Sequence, residues 1–209
     1  MVARYINPRK ERSLARRKST REIKQSFFIV CEGKNTEPEY FHSFRLTSAT
    51  VKVLGQGINT IGLVKSAIKE KEQAKLRGKI YDNYWVVFDK DDFPNQHFND
   101  AIKLAEMNGF RVAYSNQAFE YWFLLHFNLY EGVIERGRYT QMLSRHLGEQ
   151  YGKDVDFASK MYNKLLSKQA TAITNARTVH SKVNGIISPA QAESSTTIYL
   201  LVEELNKYL

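Results

Sequence analysis

Four short apolar runs, spaced so that helix-patterned segments fall between them, constrain the fold of this chain more than anything else in it. They are Phe27-Phe28-Ile29-Val30, Val51-Lys52-Val53-Leu54, Tyr84-Trp85-Val86-Val87-Phe88 and Arg111-Val112-Ala113-Tyr114. Such runs read as strands, and their near-continuous apolarity marks strands buried on both faces. A helix is expected from Asn35-Thr36-Glu37-Pro38-Glu39 to about Phe44, where Thr36 and Glu39 have capping-box spacing and Pro38 falls in the tolerant first turn. Ile61 to Arg77 reads as a second helix, with Ile61, Val64, Ala67, Ile68 and Leu76 as its apolar positions and Gly78 as its stop. A turn through Pro94 leads into a third helix, to about Met107, with Ile102, Leu104 and Ala105 inward and Gly109 closing it. This βαβαβαβ order predicts an α/β fold: a Rossmann-like, mostly parallel four-stranded sheet with right-handed crossovers and helices on both faces.

From Asn116 onward the pattern is helical only. Phe119 to Phe127 is too apolar all round for a surface helix and is expected to be buried. Lys160 to Val183 carries an apolar stripe at Met161, Leu165, Ala172, Ala176 and Val183, with Lys160, Lys164 and Lys168 stacked at four-residue spacing on another face. Ser194 to Tyr208 reads as a last amphipathic helix through Ile198, Leu201, Leu205 and Tyr208. The expected division is a basic N-terminal arm (1–25), an α/β core (26–115) and a helical C-terminal part packed on that core (116–209). With 209 residues, 43% of them hydrophobic, the chain can fill one core of ordinary size with a helical addition.

Charge is distributed unevenly. Residues 1–25 hold nine Lys or Arg against Glu11 and Glu22, whereas the remainder has 22 basic against 20 acidic residues. A basic arm ahead of a nearly neutral domain fits contact with nucleic-acid phosphates, through Arg16, Arg17, Lys18 and Arg21 in particular, and equally fits a solvated terminus. A single cysteine allows no internal disulfide, the basic start lacks the apolar core of a secretory signal, and no apolar run approaches the roughly 20 residues needed to span a bilayer. A soluble, cytoplasmic protein is expected.

The chemistry-bearing residues lie where the strands end. Glu32 and Gly33 follow the first strand, and Asp89-Lys90-Asp91-Asp92 follows the third. Strands of a parallel sheet deliver the residues at their C-terminal ends to one rim, and the two carboxylates of an extended D-x-D point the same way. Carboxylates gathered at one point repel each other unless protons or a cation intervene, and hard oxygen ligands suit Mg²⁺ or Mn²⁺. Alone, Glu32 could cap a helix or pair with Lys34, and the aspartates could form an ordinary Asx turn; together the three suggest metal-assisted chemistry on phosphates. The glycines from Gly55 to Gly62 fail the P-loop pattern because Leu63 follows Gly62, and the five histidines have no zinc spacing. Cys31, ending a buried strand, reads as a core residue, and Glu120, within a greasy segment, requires an Arg or Lys partner.

Four segments in order resemble the RloB family: Glu32-Gly33-x-Asn35-Thr36-Glu37-Pro38-x-Tyr40-Phe41, Trp85-Val86-Val87-Phe88-Asp89-x-Asp91, Phe119-Glu120-x-Trp122-x-Leu124-Leu125-His126-Phe127, and Ser195-Thr196-Thr197 before Leu201-Val202-Glu203-Glu204-Leu205. Ser115-Asn116-Gln117-Ala118 stands where a Pro-containing lead would be expected. The family is linked to restriction loci, and its core resembles the Toprim fold of topoisomerases, primases and OLD-type nucleases. The resemblance implies an Mg²⁺- or Mn²⁺-dependent endonuclease with Glu32, Asp89 and Asp91 as catalytic and metal-holding acids; Glu37, Asp92, Glu120 and His126 are candidates to support them. It also implies phage defence, RNA (tRNA included) or DNA as substrate, and an ATPase encoded separately as a partner. Lys34, Lys160, Lys164 and Lys168 join the arm as candidate contacts to nucleic acid. A non-catalytic module that binds nucleic acid or a partner within a defence complex is the alternative.

Overall fold

Alternation along the strands builds two cores, one on each face of a single sheet. In the computed structural model, which describes residues 25–46, 49–55 and 60–209, strands β1 (Gln25–Cys31), β2 (Ala49–Gly55), β3 (Asn83–Asp89) and β4 (Arg111–Asn116) are mutually parallel. Helices α1 (Thr36–His42), α2 (Thr60–Leu76) and α3 (Asn95–Met107) connect them. Phe27, Ile29, Cys31, Trp85, Val87 and Ala113 face the larger core, and Phe28, Val30, Val86, Phe88 and Tyr114 the smaller one, which α2 and α3 cover. Every strand residue in these sets is buried, which is why the runs lack polar alternation. The α/β reading is therefore correct. The basic arm, with Arg16, Arg17, Lys18 and Arg21, and residues 56–59 of the glycine-containing loop lie outside the described residues.

The larger core is closed by the C-terminal helices α4 (Glu120–Leu124), α5 (Tyr139–Leu147), α6 (Val155–Leu165), α7 (Gln169–Val183) and α8 (Ile198–Asn206), together with α1. Phe119 to His126 is buried throughout, as its composition requires. Three local expectations are corrected. Ser195–Thr196 is not the start of a helix but a short strand, β5, paired antiparallel with the edge of β4, so the sheet order is β2-β1-β3-β4-β5. Its hydroxyls and the next residue satisfy that edge: Tyr114 N donates to Thr197 Oγ1 at 2.9 Å and Thr197 N to the Tyr114 carbonyl at 2.8 Å.

The stretch from Lys160 to Val183 is also not one helix: α6 ends at Leu165, a 3-10 turn spans Leu166–Lys168, and α7 begins at Gln169. No glycine or proline forces that break. Packing does, because α6 lies on α1, with the Tyr162 and Phe44 ring centroids 4.5 Å apart, while Asn175 of α7 donates to the Leu125 carbonyl at 2.8 Å. Nor does the Thr36–Glu39 capping box form: Asn35 occupies the cap position of α1 with no side-chain cap bond. Among the described residues no helix is long and apolar enough to cross a membrane.

Candidate active site

With β1 between β2 and β3, the connection leaving β1 runs to one side and the connection leaving β3 to the other. The gap between their C-terminal ends is thus the switch point at which open α/β sheets form a crevice. Glu32 extends the ladder there, its N–H donating to the Val87 carbonyl at 2.9 Å, and its Oε2 accepts the Asp89 N–H at 3.1 Å. One of the two expected acids thereby orients the backbone of the other. Asp89 Oδ2 accepts the N–H of Phe119 at 3.0 Å, which ties the end of β3 to the start of α4. Its Oδ1 is shut from solvent and has no hydrogen-bond partner.

Asp91 adopts a left-handed backbone (φ 44°), and its N–H bonds the Gln117 carbonyl at 2.9 Å. Four residues of the cleft beside Asp89, of about 280 Å³, are Lys34, Glu37, Glu120 and Lys153, with Asp91 at its border. Glu37 is buried on the first turn of α1, where Gly33 leaves room for its carboxylate. Glu120 is buried too, and it has the basic partner expected: Lys153 Nζ lies 2.6 Å from its Oε1, which also accepts Tyr151 Oη at 3.2 Å. Lys153 was not foreseen, since nothing in the run Tyr151-Gly152-Lys153-Asp154 distinguishes it from a solvated loop lysine.

Electrostatics follow from this crowding. Burial pushes Glu32 up to about 8, with the charges of Asp91 and Glu37 adding to it and the Asp89 N–H bond opposing. Burial and the Glu120 charge raise Glu37 to about 7. Asp89 is raised well above the ordinary carboxylate range, first by burial and then by Glu37, Glu120, Asp91 and Glu32. Asp91 is raised by burial, with Arg136 pulling the other way. At neutral pH such a group must hold protons or attract a cation. Burial likewise lifts the Cys31 thiol far from its ordinary value, as suits a core residue.

The remaining candidates are placed as follows. Asp92 is exposed and ion-paired with Arg136, which also reaches Asp91 Oδ1 at 2.6 Å. Arg136 lies on a 3-10 turn, Arg136–Arg138, whose sequence has no periodicity to flag it. His126 is buried, with Nδ1 3.0 Å from the Trp122 carbonyl and its ring against the Trp122 indole. Burial depresses it to about 4. These contacts hold it in the core. Lys34 is exposed at the cleft mouth. Lys160, Lys164 and Lys168 do not form one helical face: Lys160 lies 3.8 Å from Asp156, Lys164 pairs with Glu149 at 2.5 Å, and Lys168 sits over the Phe127 ring at 4.3 Å, beyond the end of α6.

Comparison with known proteins gives one result. No curated protein and no solved structure matches the chain. A family model described as RloB-like protein matches residues 27–205, a span that includes all but the first two residues of the sheet, the clustered acids and nearly all of the C-terminal helices. The chain belongs to the RloB family.

Proposed function

We propose that this protein is a metal-dependent, Toprim-type endonuclease cleaving phosphodiester bonds of RNA, tRNA included, or of DNA. Membership of the RloB family suggests the restriction-linked, defence-related setting in which it would act. The observation that carries the reading is the half-buried Asp89 at the cleft, its Oδ1 shut from solvent and unpartnered, with Glu32, Glu37, Asp91 and Glu120 all raising its proton affinity. Among the described residues no three His, Cys, Asp or Glu side chains already enclose a point for an ion. Mg²⁺ keeps several waters and takes as few as one or two carboxylates, so Asp89 and Asp91, with Glu32 beside them, fit it by number and by hard-oxygen chemistry.

When bound, Mg²⁺ or Mn²⁺ would supply Lewis acidity toward a phosphate oxygen and a more acidic water. Glu32, with its value near 8, can give or take a proton around neutral pH. Lys34 would meet the backbone at the cleft mouth, and the Glu120–Lys153 pair would keep a positive charge beside the acids. A non-catalytic module working beside an ATPase is the second reading, favoured by Arg136, which already neutralises part of the acidic face.

Incubating the protein with tRNA, single-stranded DNA and duplex DNA, in Mg²⁺, in Mn²⁺ and in chelator, separates the two. Cutting that needs metal and falls at least about a hundredfold in Asp89→Asn, with binding retained, supports the nuclease. Binding without cutting in any metal, unchanged in Asp89→Asn, supports the module.

A further inference from the structure

Beside the acidic cleft lies a second, larger one of about 790 Å³ that shares Asp91 with it. Its charged lining is Lys90 and Arg136 against Asp91, Asp92, Glu135 and Glu193, an excess of acid in which only a cation freed from its carboxylates could meet a phosphate. Arg136 lines the second cleft and reaches the shared Asp91. Its backbone is fixed, with the N–H bonded to Gln117 Oε1 at 2.9 Å, while its side chain is 41% exposed and its guanidinium forks across Asp91 and Asp92. Lys90 Nζ is turned back onto the Asp91 carbonyl at 3.4 Å. The strongest cation of this cleft is therefore held by two carboxylates, one of which is 84% exposed.

Exposed ion pairs are weak and exchange partners readily. The planar fork that suits two carboxylate oxygens suits two phosphate oxygens equally well. Resting on the nuclease reading for its ligand, we propose that Arg136 grips a backbone phosphate of the nucleic acid in this second cleft, and that its pairs with Asp91 and Asp92 are the resting contact it leaves to do so. A cation on Asp91 then competes with Arg136 for the same carboxylate. Its arrival frees the guanidinium, and by linkage a phosphate on Arg136 favours the cation.

The ion pair can be broken from either side, with opposite consequences. In chelator, fluorescence anisotropy with labelled tRNA and duplex DNA should show Arg136→Gln binding about tenfold more weakly than wild type, through loss of the charge-assisted phosphate contact. Asp92→Asn should bind more tightly, by about threefold beyond Glu135→Gln, which removes an equal charge from the same cleft. Calorimetric titration of Mn²⁺ without nucleic acid should give severalfold higher affinity in Arg136→Gln, since Asp91 is released. A bracing role for Arg136 alone would make Arg136→Gln and Asp92→Asn change nucleic-acid binding in the same direction, and that result overturns the proposal. So does an unaltered or lower Mn²⁺ affinity in Arg136→Gln. If wild type takes up no Mn²⁺, the nuclease reading itself fails; if it takes up Mn²⁺ and the variants behave alike, only the role of Arg136 does.

Discussion

A Cβ at Gly33 would stand 2.0 Å from Glu37 Oε2, so that this buried carboxylate would have to shift. Gly33→Ala is expected to destabilise the fold by about 1–3 kcal/mol, the usual cost of overpacking. In urea titrations the double variant Gly33→Ala/Glu37→Ala should be more stable than Gly33→Ala alone, because the clash has gone. The same acids set a pH dependence. Glu32 and Glu37 have folded values of about 8 and 7 against ordinary values of 4.5, so the folded state holds more protons than the unfolded one across that interval and stability falls as pH rises. Histidines oppose this at lower pH: His126, depressed to about 4, makes stability rise toward 6.5. Above that value the acids act alone. Between pH 6.5 and 8 the chelated protein should lose on the order of 2 kcal/mol, read as a falling Tm by calorimetry. Asp89→Asn should be more stable than wild type at pH 8, and saturating Mn²⁺ should reduce the loss in wild type.

At the scale of elements, the ends of helices and strands do the positioning. Helix α6 is capped by Asp154, whose Oδ1 accepts the Phe157 N–H at 2.9 Å, and this cap immediately follows Lys153. Asp154→Ala should cost about 1 kcal/mol in urea denaturation. It should also loosen the Lys153–Glu120 pair, so that any tRNA or DNA cleavage falls more than the stability loss explains. Element boundaries show what local patterning carries. The strand ends that matter, Cys31 and Asp89, were visible because apolar runs stop abruptly at acids. The break between α6 and α7 was not, since every residue from Leu165 to Gln169 tolerates a helix and the interruption comes from what each half packs against.

For the whole molecule, the uneven charge predicts a salt effect. Removing residues 1–24, which carry nine basic and two acidic residues, should flatten the dependence of nucleic-acid affinity on salt, measured as the slope of log K against log salt. A slope equal to that of the full chain would deny the arm any phosphate contact. Apolar runs buried on two faces, alternating with helices, determined the parallel α/β sheet by themselves, because period and composition act locally. They also determined that Glu32 and Asp89 would share a rim, since every strand of a parallel sheet ends its run on the same side, whereas Asp91 lies past the strand on a left-handed turn. Tertiary structure alone decided that Lys153 would answer Glu120, that Arg136 would fork across Asp91 and Asp92, that His126 would be sealed in the core, and that Ser195–Thr196 would complete the sheet. Each of these joins residues at least 30 positions apart or depends on what covers a side chain, and chain folding in three dimensions sets both where local pattern cannot.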